Sequence, residues 1–350
     1  MTTPTTPFDI TLGLDTFGDV TNDTEGTPLT HGQAIRRLVE EGVLADQVGV
    51  DHFGIGEHHT EAMPLSAADV VLAAIAARTE RIRLNSAVTV ISSDDPVRVF
   101  QRYATLDGVS AGRAEVILGR GSSTESFPLF GYDLNDYEEL FEEKVALFAE
   151  LLKEKPVTWS GTTRAALDGI SVYPHSETGS IPTWIGVGGS PQSVIRTAQY
   201  GFSLMLAIIG GDVARFAPFS ELFRRALAEF GHPARPIGVH APGHVAATDE
   251  QAVEEFVPAF QQLIASVARE RGFRTPTRES LMRDVGPGGA LHVGSPETVA
   301  RKIAATLKTL DATRFNLKYG ITGMPHNTLM TNIELYGTKV APLVRELMAD

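Results

Sequence analysis

From residue 8 to the C-terminal region, short β-rich runs alternate with amphipathic helical stretches, eight times and without a break in composition. This alternation constrains the fold more than any single motif. Strands separated by helices must be joined by crossovers, and crossovers make parallel sheets. The strand runs span 8–14, 51–57, 82–91, 114–119, 182–187, 202–208, 237–246 and 315–319. Between them, helical periodicity predicts helices at 33–48, 66–78, 96–109, 136–153, 191–200, 213–230 and 250–271, with two more from Ser295 and over 327–348. Ser66 is expected to cap the second helix, with Asp69 in its first turn, and Ser190 and Ser295 to cap later ones just ahead of a proline. Eight βα units without a linker fit one (β/α)8 TIM barrel over 1–350 better than two Rossmann-like halves, with insertions in the βα loops near 155–180, read as a hairpin, and 272–290.

Composition narrows the functions. Lys and Arg number 30 against 43 Asp and Glu, a net charge of −13, so the mean field repels nucleic acid and anionic membrane surfaces. With no cysteine, disulfides, thiolate metal sites and iron–sulfur clusters are excluded, and redox chemistry requires a borrowed cofactor. The opening MTTPTTPFDITLGLD lacks a basic segment followed by an apolar core, and the longest purely apolar run, 70–77, is too short to span a bilayer, which together predict a cytoplasmic protein.

A barrel concentrates chemistry at the C-terminal ends of its strands. After the second strand comes Gly56-Glu57-His58-His59, where strand alternation sends Glu57 and His59 one way and His58 the other. After the fourth comes Gly119-Arg120-Gly121-Ser122-Ser123, a guanidinium between glycines. After the fifth comes Gly188-Gly189-Ser190-Pro191-Gln192-Ser193, where backbone amides, a helix dipole and two hydroxyls converge as an anion site. The dinucleotide pattern GxGxxG fails at both glycine clusters, and no phosphate-binding GxxxxGK[ST] exists. The small residues Ser86 and Ala87 on the third strand leave room for a flat ring. His240 and His244 have the spacing to share one side of the seventh strand and line the mouth, and Lys318 and Tyr319 end the last strand.

These motifs, in this order, resemble the luciferase-like flavin-dependent monooxygenases of the bacterial luciferase superfamily. The resemblance rests on Gly56-Glu57-His58-His59, on Leu84-Asn85-Ser86-Ala87-Val88 with Asp95-Pro96-Val97-Arg98, on Leu106-Asp107 to Gly112-Arg113, and on Gly119-Arg120-Gly121, Phe130-Gly131 and Gly188-Gly189-Ser190-Pro191. It covers the chain to about residue 208; beyond that it rests on architecture and the VGSPETVARKI segment. It implies a dimeric FMN enzyme that uses reduced flavin and O2 on a small organic substrate, often supplied by a separate NAD(P)H:flavin reductase. It also implies that Arg120, Ser190, Ser193 and the amides of Gly188 and Gly189 hold the flavin phosphate, that a cis peptide lies at Ser86-Ala87 beneath the flavin, and that His58 serves proton transfer while Glu57 orients it or its loop. Residues 122–135 and 272–289 are the expected lids. Alternatives are an F420-dependent hydride-transfer enzyme, a metal-dependent barrel hydrolase built on His58, His59 and the strand-seven histidines, and a non-catalytic flavin-binding protein.

Overall fold

The computed structural model describes residues 8–121, 125–271 and 274–349. Its strands are β1 (Thr11–Thr16), β2 (His52–Ile55), β3 (Arg83–Ser86), β4 (Thr89–Val90), β5 (Ala114–Gly119), β6 (Val157–Trp159), β7 (Leu167–Ile170), β8 (Thr183–Val187), β9 (Ser203–Ala207), β10 (Ile237–Val245), β11 (His292–Gly294) and β12 (Arg314–Lys318). Its helices are α1 (His31–Gln47), α2 (Ala68–Ala76), α3 (Pro96–Ser110), α4 (Ser126–Phe130), α5 (Tyr137–Leu151), α6 (Pro191–Gln199), α7 (Ala217–Glu229), α8 (Asp249–Arg271), α9 (Arg278–Val285), α10 (Pro296–Leu310), α11 (His326–Leu335) and α12 (Ala341–Ala349).

Eight strands close a parallel barrel in the order β1, β2, β3, β5, β8, β9, β10, β12. The last pairs with the first through Leu12 opposite Phe315 and Leu14 opposite Leu317. The strands are short, apolar and buried on both faces, as a parallel sheet wrapped in helices requires. The run at 82–91 breaks into β3 and β4 at a cis peptide between Ala87 and Val88, one residue beyond the Ser86-Ala87 position expected. β6 and β7 form a separate antiparallel pair. β11 pairs only with the end of β10, outside the barrel.

Helix starts follow local chemistry. Asp95, Ser190 and Ser295 each accept a hydrogen bond from a first-turn amide, and each is followed by proline, whose missing N–H and fixed φ suit the first helical position. Ser66 does not cap α2. The helix begins at Ala68 behind Ala67, which offers no side-chain acceptor, so the expected start lies two residues too early.

The barrel interior divides into two zones. Near the N-terminal ends of the strands lies a buried ionic layer, with Arg314 Nη1 2.6 Å from Glu115 Oε2, Nη2 2.9 Å from Asn85 Oδ1 and Nε 2.9 Å from Asn316 Oδ1. Beside it, Val88, Ile117, Trp184 and Met205 form a small apolar cluster of their own. Gly119 and Gly186 face this cluster. A Cβ on Gly119 would lie 2.3 Å from Val88, so glycine keeps the strand ends close to the cis peptide.

Candidate active site

β2 ends at Ile55 and the chain turns at Gly56, where a Cβ would lie 2.6 Å from the Phe17 ring and 2.8 Å from the Ala87 carbonyl oxygen. The next three residues separate as strand alternation predicts. Glu57 Oε1 lies 3.0 Å from His59 Nε2, and its Oε2 accepts the Val90 N–H at 3.1 Å, tying this loop to β4. His58 turns the other way. Its Nδ1 is 2.9 Å from Glu125 Oε1 and its ring sits 5.0 Å from that of Phe17. Glu57 therefore orients its loop and His59, and the carboxylate that holds His58 comes from beyond β5. Burial alone would raise the Glu125 carboxyl, but the hydrogen bond from His58, backbone amides and the His58 charge hold it down at about 2. An ionised carboxylate only accepts, so Nδ1 of His58 carries a proton and Nε2 is the atom left to exchange one.

Phe17 is the centre of a wider constellation. His240 stacks on it at 5.9 Å while its Nδ1 lies 2.8 Å from Asp15 Oδ2, and the Lys318 ammonium lies over its face at 4.7 Å. Lys318 is also paired with Asp19 at 2.9 Å. Thus His240 and Lys318 do gather near His58, whereas His244 and Tyr319 do not. His244 is fully buried, stacked near Phe256 and 2.7 Å from Glu255. The Tyr319 hydroxyl donates to Glu41 at 2.5 Å behind the barrel. Among the described residues no group of three or more His, Asp and Glu is arranged to hold a metal ion, because each of these imidazoles is taken by a different carboxylate.

A second group forms where β5 and β8, neighbours in the barrel, end side by side. Arg120 follows β5, lies over the Tyr137 ring at 5.1 Å and pairs with Glu138. From β8 the exposed Gly188 and Gly189 lead to Ser190, whose hydroxyl accepts the Ser193 N–H at 3.4 Å and opens α6. Gly189 has φ +118°, a conformation reserved for glycine. One turn further on, Arg196 Nη2 reaches the same Glu138 at 3.2 Å, and its Nε pairs with Glu142. Glu138 thereby joins the two loops. Arg196 and Glu125 escape a reading of glycine motifs because both lie outside them, although Arg196 stands three positions after Ser193, one helical turn further along α6.

Ser86 is held within the sheet. Its hydroxyl donates to the Ile117 carbonyl and accepts the Ile117 N–H, at 2.9 and 3.0 Å, and is fully buried, so it stitches β3 to β5 and leaves no side-chain contact for a ring. Ala87, one atom layer nearer the mouth, contributes the peptide that is cis. Outside the loop of Glu57 and His59, a cavity of about 190 Å³ is lined by these two side chains with Asp69, Arg102, Tyr103 and Phe130. Of the expected lids, residues 122–124 and 272–273 lie outside the described residues. The remainder contains α4, with Leu129 and Phe130 exposed, and α9.

Comparison with known proteins agrees with this geometry. A luciferase-like monooxygenase family model matches residues 16–314. The chain is 26% identical to limonene 1,2-monooxygenase of Rhodococcus erythropolis over 278 residues, 77% of this chain and 71% of that one. The monooxygenase RslO1 of Streptomyces bottropensis superposes with a TM-score of 0.82 at 20% identity, covering 95% of this chain and 99% of the other. The FMN-bound oxygenating constituent of 3,6-diketocamphane monooxygenase of Pseudomonas putida superposes at 0.75 and 17% identity, over 96% and 99%. The F420-dependent tetrahydromethanopterin reductase of Methanopyrus kandleri does so at 0.72 and 18% identity, over 96% and 99%. With a family match over most of its length, the chain belongs to the luciferase-like monooxygenases.

Proposed function

We propose that the protein is an FMN-dependent monooxygenase that uses reduced flavin and O2 to oxygenate a small organic substrate. The observation that supports this most directly is the cradle at the ends of β5 and β8, where Arg120, Arg196 and the Ser190-capped start of α6 converge. Its features suit one phosphate. The buried Nη1 of Arg196 has no hydrogen-bond partner among the described residues, and nothing stands within 4 Å of where a Gly188 Cβ would be. Ser190, Ser193 and the amides of Gly188 and Gly189 would complete the set.

When bound, reduced flavin supplies the electrons that activate O2. The chain's own task is to orient, to move a proton and to exclude water. His58, fixed by Glu125 through Nδ1, takes up or returns a proton at Nε2. Glu57 holds the loop in place through the Val90 amide. The Phe17 ring and the Ala87 carbonyl both border Gly56. A separate NAD(P)H:flavin reductase as supplier, a homodimer and a cytoplasmic location are further parts of this reading, resting on the family; among the described residues no helix is long and apolar enough to cross a membrane.

An F420 reading requires cationic groups for an extended acidic tail. The chain carries a net charge of −13, which opposes an extended acidic tail, so FMN is favoured. Titrating apoprotein with FMN, riboflavin and F420 in parallel tests the choice. FMN is expected to bind at least tenfold more tightly than either. Arg120→Ala should cost about 1.5 to 3 kcal/mol of FMN affinity while leaving riboflavin unchanged. Equal binding of FMN and riboflavin would remove the phosphate site, and preference for F420 would turn the reading to hydride transfer.

A further inference from the structure

The cradle carries an anion of its own. Glu138, in the first turn of α5, places Oε1 on Arg120 and Oε2 on Arg196, 3.2 Å from its Nη2. Arg120 arrives from the end of β5 and Arg196 from α6, so a single carboxylate closes the gap between the two loops that frame the anion site. Its two oxygens sit on guanidinium forks in the manner that phosphate oxygens would adopt. Yet Glu138 is not built in. Its side chain is 61% exposed, whereas that of Arg196 is 9% exposed, fixed on its other side by Glu142 and stacked over the Phe141 ring at 5.3 Å. The arginine is pre-positioned and the glutamate is free to swing into water.

We propose that Glu138 is an internal competitor for the phosphate of the flavin, holding Arg120 and Arg196 together in the empty protein and leaving when a dianionic phosphomonoester enters. The inference rests on the FMN reading above and extends it to an exchange device. With Glu138 in place the four side chains Arg120, Arg196, Glu138 and Glu142 sum to no net charge, so an arriving dianion gains little until the carboxylate moves away. Once it has moved, the cradle carries one net positive charge and two vacant guanidinium edges. Such an arrangement weakens phosphate binding without losing its geometry, which suits a cofactor that must enter and leave in each cycle.

The test is equilibrium titration of the full-length apoprotein with FMN, riboflavin and, separately, inorganic phosphate, for the native chain, Glu138→Gln and Arg120→Ala. Glu138→Gln keeps the size and exposure of the side chain and removes its charge. It is expected to bind FMN about tenfold more tightly, to bind riboflavin unchanged, and to bind inorganic phosphate, titrated without FMN, more tightly than the native chain. If Glu138 instead merely positions the arginines, Glu138→Gln will bind FMN more weakly, and an unchanged affinity will show that the contact is incidental. Either outcome overturns the proposal. Failure of the underlying site is recognised separately: Arg120→Ala would then leave the FMN to riboflavin ratio untouched, and this also removes the competitor role.

Discussion

His58 has two faces with different fates. Nδ1 is committed to Glu125, a carboxylate held ionised at about 2 despite the burial that opposes it, and Nε2 is left for chemistry. Glu125→Gln preserves the shape but removes the charge that fixes the tautomer and stabilises a protonated ring. Turnover should fall about tenfold or more with FMN affinity unchanged. Kinetics with saturating reduced flavin would decide, and an unaltered turnover would reduce Glu125 to a packing residue. At this scale much was readable in the sequence. The Glu57, His58 and His59 alternation needs only the geometry of an extended chain, and Arg120 and Ser190 announce themselves through flanking glycine and proline. Glu125 and Arg196 were not readable, since pairing across 67 and 58 positions is created by barrel closure and leaves no local pattern.

Elements that follow periodicity were legible, and those held by single side chains were not. All eight barrel strands and their covering helices fall where alternation puts them. By contrast α9 and β11 lie in a stretch that reads only as polar loop, because what holds them comes from elsewhere. The Lys302 ammonium, on α10, lies within hydrogen-bond reach of the carbonyls of Asp284, Val285, Gly286 and Leu291, at 2.6 to 3.0 Å, gathering the end of α9 and the approach to β11 around one charge. Burial pulls this lysine down to about 7, against the opposing pull of Asp284, and the same positive charge helps keep the buried His292 neutral. The folded value lies below the unfolded one near 10.5, so between pH 7 and 10.5 the unfolded chain binds more protons and the Lys302 contribution to stability rises with pH; below pH 7 the cost of the buried charge is fully present. Urea midpoints measured from pH 6 to 9 should therefore climb more steeply for the native chain than for Lys302→Met. Parallel curves would show that Lys302 does not titrate in this window.

The whole molecule is tied through its centre as well as around its wall. β5 and β12 stand four strands apart in a ring of eight, and the pair Glu115 to Arg314 spans the barrel between them. Burial would raise the Glu115 carboxyl, but Arg314, His52 and Arg83 hold it at about 2, and His52, desolvated and beside Arg314, is itself lowered to about 3. The carboxylate therefore adds stability above its unfolded value near 4.5, and that contribution is lost as pH falls from 4.5 toward 2. A buried pair of this kind is costly to break but not costly to replace, because most of the penalty comes from stranding one charge. Arg314→Met should lower unfolding free energy by about 3 to 5 kcal/mol, while Arg314→Met with Glu115→Leu should recover part of that loss, the remainder being the buried Asn85 and Asn316 oxygens that lose their donor. Chemical denaturation of the native chain, both single variants and the double variant gives the coupling directly. Additive losses would mean that the two side chains bond independently to opposite walls and that the cross-barrel tie carries no energy of its own.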